Sequence, residues 1–311
     1  MRVTLDIFSG RPNPTWKLTN KQAEELIDRV AGRSLLGSSE TQGRLGFAGF
    51  VVTEVNGAHS LRGQIGQEFR IEPGFSPPSL RATGRAELRL DEAAEISRWL
   101  LGTAGKKVSD VTRSYVDREL RDRENGVLPT LLGEPTDPGP SFVPEGVQAG
   151  GSLEPIRFAS WLWNTHSCVM ENNNCYNYAM AWRSDSFAQP GHRSGKSFQI
   201  NGPSVRCAAF ADGCTDQFSG MVKIVALTIA PPGRLDVRGD YHWYLYHPLD
   251  GFWGHKRGRT VARNTDEQGR VIGGALNPSN CNLGGYDFFG YMFSPTGLQV
   301  TGPNQARCQI P

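Results

Sequence analysis

The residues of this chain best suited to chemistry are a cysteine and two histidines, Cys175, His242 and His255. Cys175 follows Asn172, Asn173 and Asn174, and Tyr178, Ala179 and Trp182 come three, four and seven residues after it, the spacing of one helical face. That predicts a helix with the thiol in its first turn. Unpaired backbone N–H groups and the positive end of the helix dipole favour a thiolate there and can hold a developing oxyanion. Asparagine favours turns, and Asn173 or Asn174 could add an amide donor to the same site. The plainer alternative is a buried structural cysteine, since free cysteine is among the most buried residue types.

A thiol nucleophile needs a base within hydrogen-bond reach and a third group to orient that base. The run Asp240-Tyr-His242-Trp-Tyr-Leu-Tyr-His247-Pro-Leu-Asp250-Gly251-Phe-Trp-Gly-His255 reads as a strand, an Asp-Gly turn and a returning strand. An even number of loop residues would pair His255 near Tyr244, as a diagonal neighbour of His242 about 7 Å away. His242 would then be the base and His255 its orienter. An odd number would turn His255 to the other face and leave Asp240 or Asp250 as the third member. For each histidine the plain alternative is a polar residue at a sheet edge, and His247, beside Pro248 at the turn, is poorly placed for chemistry.

Positioning these groups takes a fold, and 311 residues with 38% hydrophobic content suffice for two domains. The predicted class is α+β. Residues 1–125 read as a small α+β domain, with a strand at 2–8, a helix after the Thr19/Gln22 capping box, strands at 46–55 and 60–71, a helix capped by Asp91 and a charged helix over 110–125. The stretch 126–155 is rich in proline and glycine and reads as a linker. Residues 156–311 are expected to be β-rich, with strands near 221–229 and 242–247 and few helices besides the one at Cys175.

Thirty-three basic residues against 31 acidic ones give no field that favours nucleic acid or an anionic membrane. No apolar stretch has signal-peptide or membrane-spanning length, so the expectation is a cytoplasmic protein or one exported without a leader. All six cysteines lie from Cys168 onward. Reduced thiols are the expectation, with Cys207 and Cys214 the pair to close if the protein is exported. No Cys-x-x-Cys or His-x-x-x-His pair supplies zinc-ligand spacing, so no metal or other cofactor is expected, although Cys168, Cys175, His166 and the hairpin histidines keep a metal-dependent enzyme open as an alternative. Gly191 to Ser197 imitates a phosphate loop but has Pro190 where the first glycine belongs. The run Ser9 to Pro14 reads as a rigid exposed turn whose Arg11 could grip a carboxylate. Lys256 to Arg259 reads as a solvated basic loop. Aromatic residues such as Trp161, Trp243, Tyr246 and Trp253 serve either a core or an interaction surface of a non-catalytic binding or structural protein.

The order Cys175, His242, His255, with the Cys175-x-x-Tyr178-Ala179 run, resembles the papain-like superfamily of thiol hydrolases, in particular NlpC-type and CHAP-type cell-wall amidases and peptidases. The resemblance covers roughly residues 160–295. It implies a nucleophile-bearing helix packed on an antiparallel sheet, a peptide or peptidoglycan-like substrate, and attack by Cys175 on an amide carbonyl with His242 as base and His255 as orienter. Residues 1–125 would then recruit a protein partner or substrate. The Phe8–Pro14 and Asn174–Ala179 runs together also resemble bacterial proteins of unassigned role.

Overall fold

The computed structural model describes residues 1–36, 45–54, 68–74, 86–126 and 151–308. Most of the proline-rich stretch, and residues 60–67 of one expected strand, lie outside these. The chain forms two compact units, Met1–Ile7 with Asn13–Leu128, and Phe8–Pro12 with Pro129–Pro311.

The first unit carries β1 (Arg2–Asp6), β2 (Thr15–Lys17), β3 (Arg33–Ser34), β4 (Gly49–Thr53), β5 (Glu68–Ile71) and β6 (Ala86–Glu87). Four of them make an antiparallel sheet in the order β2-β1-β4-β5, and β3 pairs with β6 in parallel. The Thr19/Gln22 capping box opens the helix Asn20–Val30, which buries Ala23, Leu26 and Val30 at helical spacing. The helix expected to be capped by Asp91 runs Leu90–Thr103 from Arg89, and Asp91 sits in its first turn, where a carboxylate favours the dipole. Ser109 caps the helix Asp110–Glu124.

The second unit is built on a six-stranded mixed sheet. Its strands are β7 (Gly151–Leu153), β8 (Gly220–Ala230), β9 (Asp240–His247), β10 (Phe252–Lys256), β11 (Ala262–Arg263) and β12 (Asp287–Pro295), with β11-β10-β9-β8-β12 antiparallel in sequence of pairing. β7, at residues expected to end the linker, pairs in parallel with the start of β8. Helices cover more of this unit than expected: Trp161–Asn164, Ser167–Asn172, Cys175–Ala179 and Gly202–Asp212. The last is opened by Asn201, whose side chain accepts the Ser204 N–H, with Pro203 in the first turn. Tyr241, Trp243 and Leu245 of β9 pack with Val225, Leu227, Cys175, Tyr176 and Tyr178 in one core cluster. On the opposite face Tyr244 stacks on His255 and Tyr246 packs on Trp253. Trp243, Tyr244, Tyr246 and Trp253 are therefore core, whereas Trp161 is exposed. Lys256 and Arg257, expected in a solvated loop, are fully buried; the Lys256 ammonium donates to the carbonyls of Met170, Asn173 and Gly258.

A disulfide joins Cys168 to Cys308 across 140 residues, where reduced thiols were expected and Cys207–Cys214 was the pair named for an exported protein. Cys207 is exposed on its helix while Cys214, past the helix end, turns its sulfur into the core against Met180. Peptide mapping without reductant should recover Cys168 linked to Cys308 and free thiols at the other four cysteines. Replacing Cys168 and Cys308 with alanine should lower unfolding stability by about 2–5 kcal/mol. A Cys207–Cys214 peptide, or unchanged stability in denaturant, would contradict this pairing.

Candidate functional site

The hairpin loop between β9 and β10 is four residues long, and its even length sets the register: His255 lies opposite Tyr244, and Phe252 opposite His247. His242 and His255 therefore share a face, with His242 Nε2 2.7 Å from His255 Nδ1. His255 Nε2 lies 2.9 Å from the Thr265 carbonyl oxygen. A carbonyl only accepts, so His255 Nε2 carries a proton; in a neutral ring its Nδ1 then accepts, and His242 Nε2 must be the donor. His242 Nδ1 is left as an acceptor, and the hydroxyl of Ser9 donates to it. The protons thus point one way along Ser9, His242, His255 and Thr265. Burial pushes the His242 imidazole well below the usual histidine range, and does the same to His255, which falls to about 3. Both rings are neutral at neutral pH, as this chain requires.

Cys175 has no part in this chain. Successive side chains of a strand point to opposite faces. The Cys175 helix packs on the face of β9 that carries Tyr241, Trp243 and Leu245, whereas His242 and His255 occupy the other. Among the described residues the thiol's hydrogen bonds go to the carbonyls of Ser9, at 3.6 Å, and Tyr241, at 4.0 Å. Burial pushes the Cys175 thiol up to about 12, opposite to what a thiolate nucleophile needs. The helix N-terminus is also occupied: the Asn174 side-chain oxygen accepts the N–H groups of Tyr176 and Asn177, two of the donors expected to serve an oxyanion. Asn173 is spent on structure, its side chain bonded to Val169, Ser184 and Asp185. Asp250 accepts from Phe158 N–H and Arg157 at the hairpin turn, away from the histidine pair. His247 meets the Tyr178 hydroxyl at 2.9 Å on the helix-facing side. No group of three or more His, Cys, Asp or Glu among the described residues is placed to hold a metal ion.

What the sequence reading missed is Ser9. The run holding it was expected to be an exposed turn, yet Ser9 is fully buried and Arg11 nearly so. Asp240 accepts the backbone N–H groups of Ser9 (2.6 Å) and Gly10 (3.2 Å), together with the Tyr286 hydroxyl (2.6 Å). Burial raises the pKa of this carboxyl, while Tyr286 and Arg11 favour its ionised form. Arg11 donates to Asp236 at 2.7 Å and to the Gly239 carbonyl at 2.8 Å, with its guanidinium 3.4 Å above the Phe8 ring. The carboxylate-gripping role considered for Arg11 is thus realised inside the protein. The one available signal was composition: a Ser-Gly-Arg run between two apolar residues and two prolines can serve buried contacts as well as a surface turn.

Two measurements bear on this geometry. With a thiol reagent at neutral pH, exposed Cys207 should react first in the folded protein, and Cys175 only on unfolding; fast modification of Cys175 would overturn its assignment as a core residue. His242, His255 and His247 are neutral in the fold at pH values where the unfolded chain, titrating near 6.5, binds protons. Their folded pKa values are depressed, so their contribution is complete above about pH 6.5 and is lost as pH falls toward the folded values, with a limiting slope of roughly 1.4 kcal/mol per pH unit for each histidine. Denaturant midpoints should fall between pH 7 and 5, and less so in His242→Gln. A flat profile would contradict the buried neutral pair.

No family profile matches the chain, and no solved structure matches it. A stretch of 141 residues is 38% identical to insoluble matrix shell protein 1 of Ruditapes philippinarum, covering 44% of this chain and 88% of that protein. With most of that protein's length matched at this identity, the chain belongs to the family of insoluble matrix shell protein 1.

Proposed function

We propose that this chain is a non-catalytic structural protein of an insoluble, assembled matrix outside the reducing cytosol, and that its second unit is a rigid interaction module. The observation that carries this reading is the closure of the polar chain. Ser9, His242 and His255 are all fully buried, both His242 ring nitrogens are engaged, and the chain ends on a backbone carbonyl. No member is free to meet a substrate. A fully satisfied buried network of this kind specifies one arrangement of the elements it joins. Two further points support the reading: the shell matrix relative, and the Cys168–Cys308 disulfide, a bond that persists in oxidising compartments.

A second reading is the hydrolase or acyltransferase suggested by the resemblance to papain-like enzymes, on a papain-like fold and a peptide or peptidoglycan-like amide. One observation favours it. The proton order Ser9 to His242 to His255 is that of a nucleophile, its base and the group that orients the base. On this reading Ser9 Oγ replaces Cys175 as the nucleophile.

Assays of the intact protein on casein, on an activated ester and on peptidoglycan separate the two. The structural reading predicts turnover no greater than that of His242→Gln and no labelling of Ser9 by a fluorophosphonate. Turnover lost in Ser9→Ala or His242→Gln but kept in Cys175→Ala would replace it with a serine hydrolase; turnover lost in Cys175→Ala would restore the thiol mechanism. If the network is structural, Ser9→Ala should lower stability by about 1–3 kcal/mol, because it leaves the buried His242 Nδ1 without a donor.

A further inference from the structure

We propose that the second unit holds a binding site for a Ser-Gly-Arg peptide segment, filled here by the chain's own Phe8–Pro12 and able to take the same segment from a second copy of the chain. Phe8–Pro12 belongs to the second unit by its contacts, although the residues on either side of it, Ile7 and Asn13, belong to the first. It is held as a ligand is held, by side chains rather than by a strand ladder.

Each of the three central residues is recognised by its own chemistry. The Ser9 hydroxyl donates to His242 and its N–H to the Asp240 carboxylate. Gly10 donates to the same carboxylate, and its carbonyl accepts from the side-chain amides of Asn174 at 2.9 Å and Gln189 at 2.8 Å. The Tyr241 hydroxyl stands 2.8 Å from both that carbonyl and Gln189 Oε1 and has one proton for the two. A Cβ on Gly10 would come within 2.4 Å of the Tyr241 ring, so the site accepts only glycine at the centre. The Arg11 guanidinium reaches Asp236 and the Gly239 carbonyl. Asp236 and Asp240 give the site two acidic groups, and Asp240, Tyr241 and His242 come from consecutive positions on β9, so that strand presents much of the recognition. Asp236 and Gly239, just before the strand, together with Gln189 and Asn174, supply the rest.

A tethered segment competes at an effective concentration of roughly millimolar or more, so a free peptide binds wild type only weakly, at millimolar concentration, and binds better when the resident segment is weakened. In matrix assembly, the same exchange between copies would link one chain to the next. The proposal names the partner of the interaction module described above, and its test reads binding rather than turnover, so the two can fail separately.

The test uses the full chain with Ser9→Ala and Arg11→Ala, which weaken the resident segment and leave the site intact. Acetyl-Phe-Ser-Gly-Arg-Pro-amide should bind this variant one to one and raise its melting temperature; wild type, and the peptide with alanine for glycine, should each bind at least about tenfold more weakly. A folded variant that shows no saturable binding, or binds the alanine peptide equally well, overturns the site. If the variant does not fold, millimolar peptide with benzoylphenylalanine in place of phenylalanine is photo-crosslinked to wild type. Label near Gly258, which lies against Phe8, that unlabelled peptide removes supports the site; label that it does not remove, or no label, overturns it. For the second copy, the variant is mixed with a full chain carrying Asp236→Asn and Gln189→Ala, whose segment is intact and whose site is weakened. A heterodimer in sedimentation supports exchange; two monomers, with the free peptide still bound, overturn the second copy as its source.

Discussion

Strand β9 is buried along all eight of its residues, on both faces of the sheet. A polar side chain on such a strand is removed from water and must find its partners within the protein. Asp240, His242 and His247 all lie on β9: Asp240 is answered by two backbone N–H groups and a tyrosine, His242 at both ring nitrogens by Ser9 and His255, and His247 at Nε2 by Tyr178. The local architecture follows from these demands. His242 needs a donor on one side and an acceptor on the other. The acceptor comes from the hairpin register, and the donor from residues more than two hundred positions earlier in the chain.

The parts of this arrangement that depend on short-range pattern were legible beforehand. The Asp250-Gly251 turn marked the hairpin, whose four-residue loop then decides in favour of the even of the two registers considered, and the Thr19/Gln22 capping box starts its helix where the spacing of Ala23, Leu26 and Val30 requires. Pairing across longer range was not legible. Cys175 and His242 look like partners in one dimension, and the relation between helix face and strand parity separates them. Tyr241 and Trp243 face the helix, so His242, between them, cannot do so. The Gly202–Asp212 helix went unseen because a Gly-Pro start reads as a turn unless the Asn201 cap is weighed with it.

Ser9 illustrates a different obstacle. Serine, glycine, proline and asparagine within the six residues Ser9 to Pro14 describe a turn equally well in water and in a buried cradle, and nothing local distinguishes the two. The distinction lies with Asp236 and Asp240, whose carboxylates the run meets only in three dimensions. The same holds for Lys256, whose charge suggests solvent and whose ammonium is instead held by three carbonyl oxygens.

The Cys168–Cys308 bond has a mechanical meaning. Tension applied at Cys168 and Cys308 passes through one covalent link, so the chain between the two cysteines is not drawn out while that link holds. Reduction would release a span of 140 residues that the bond otherwise holds end to end.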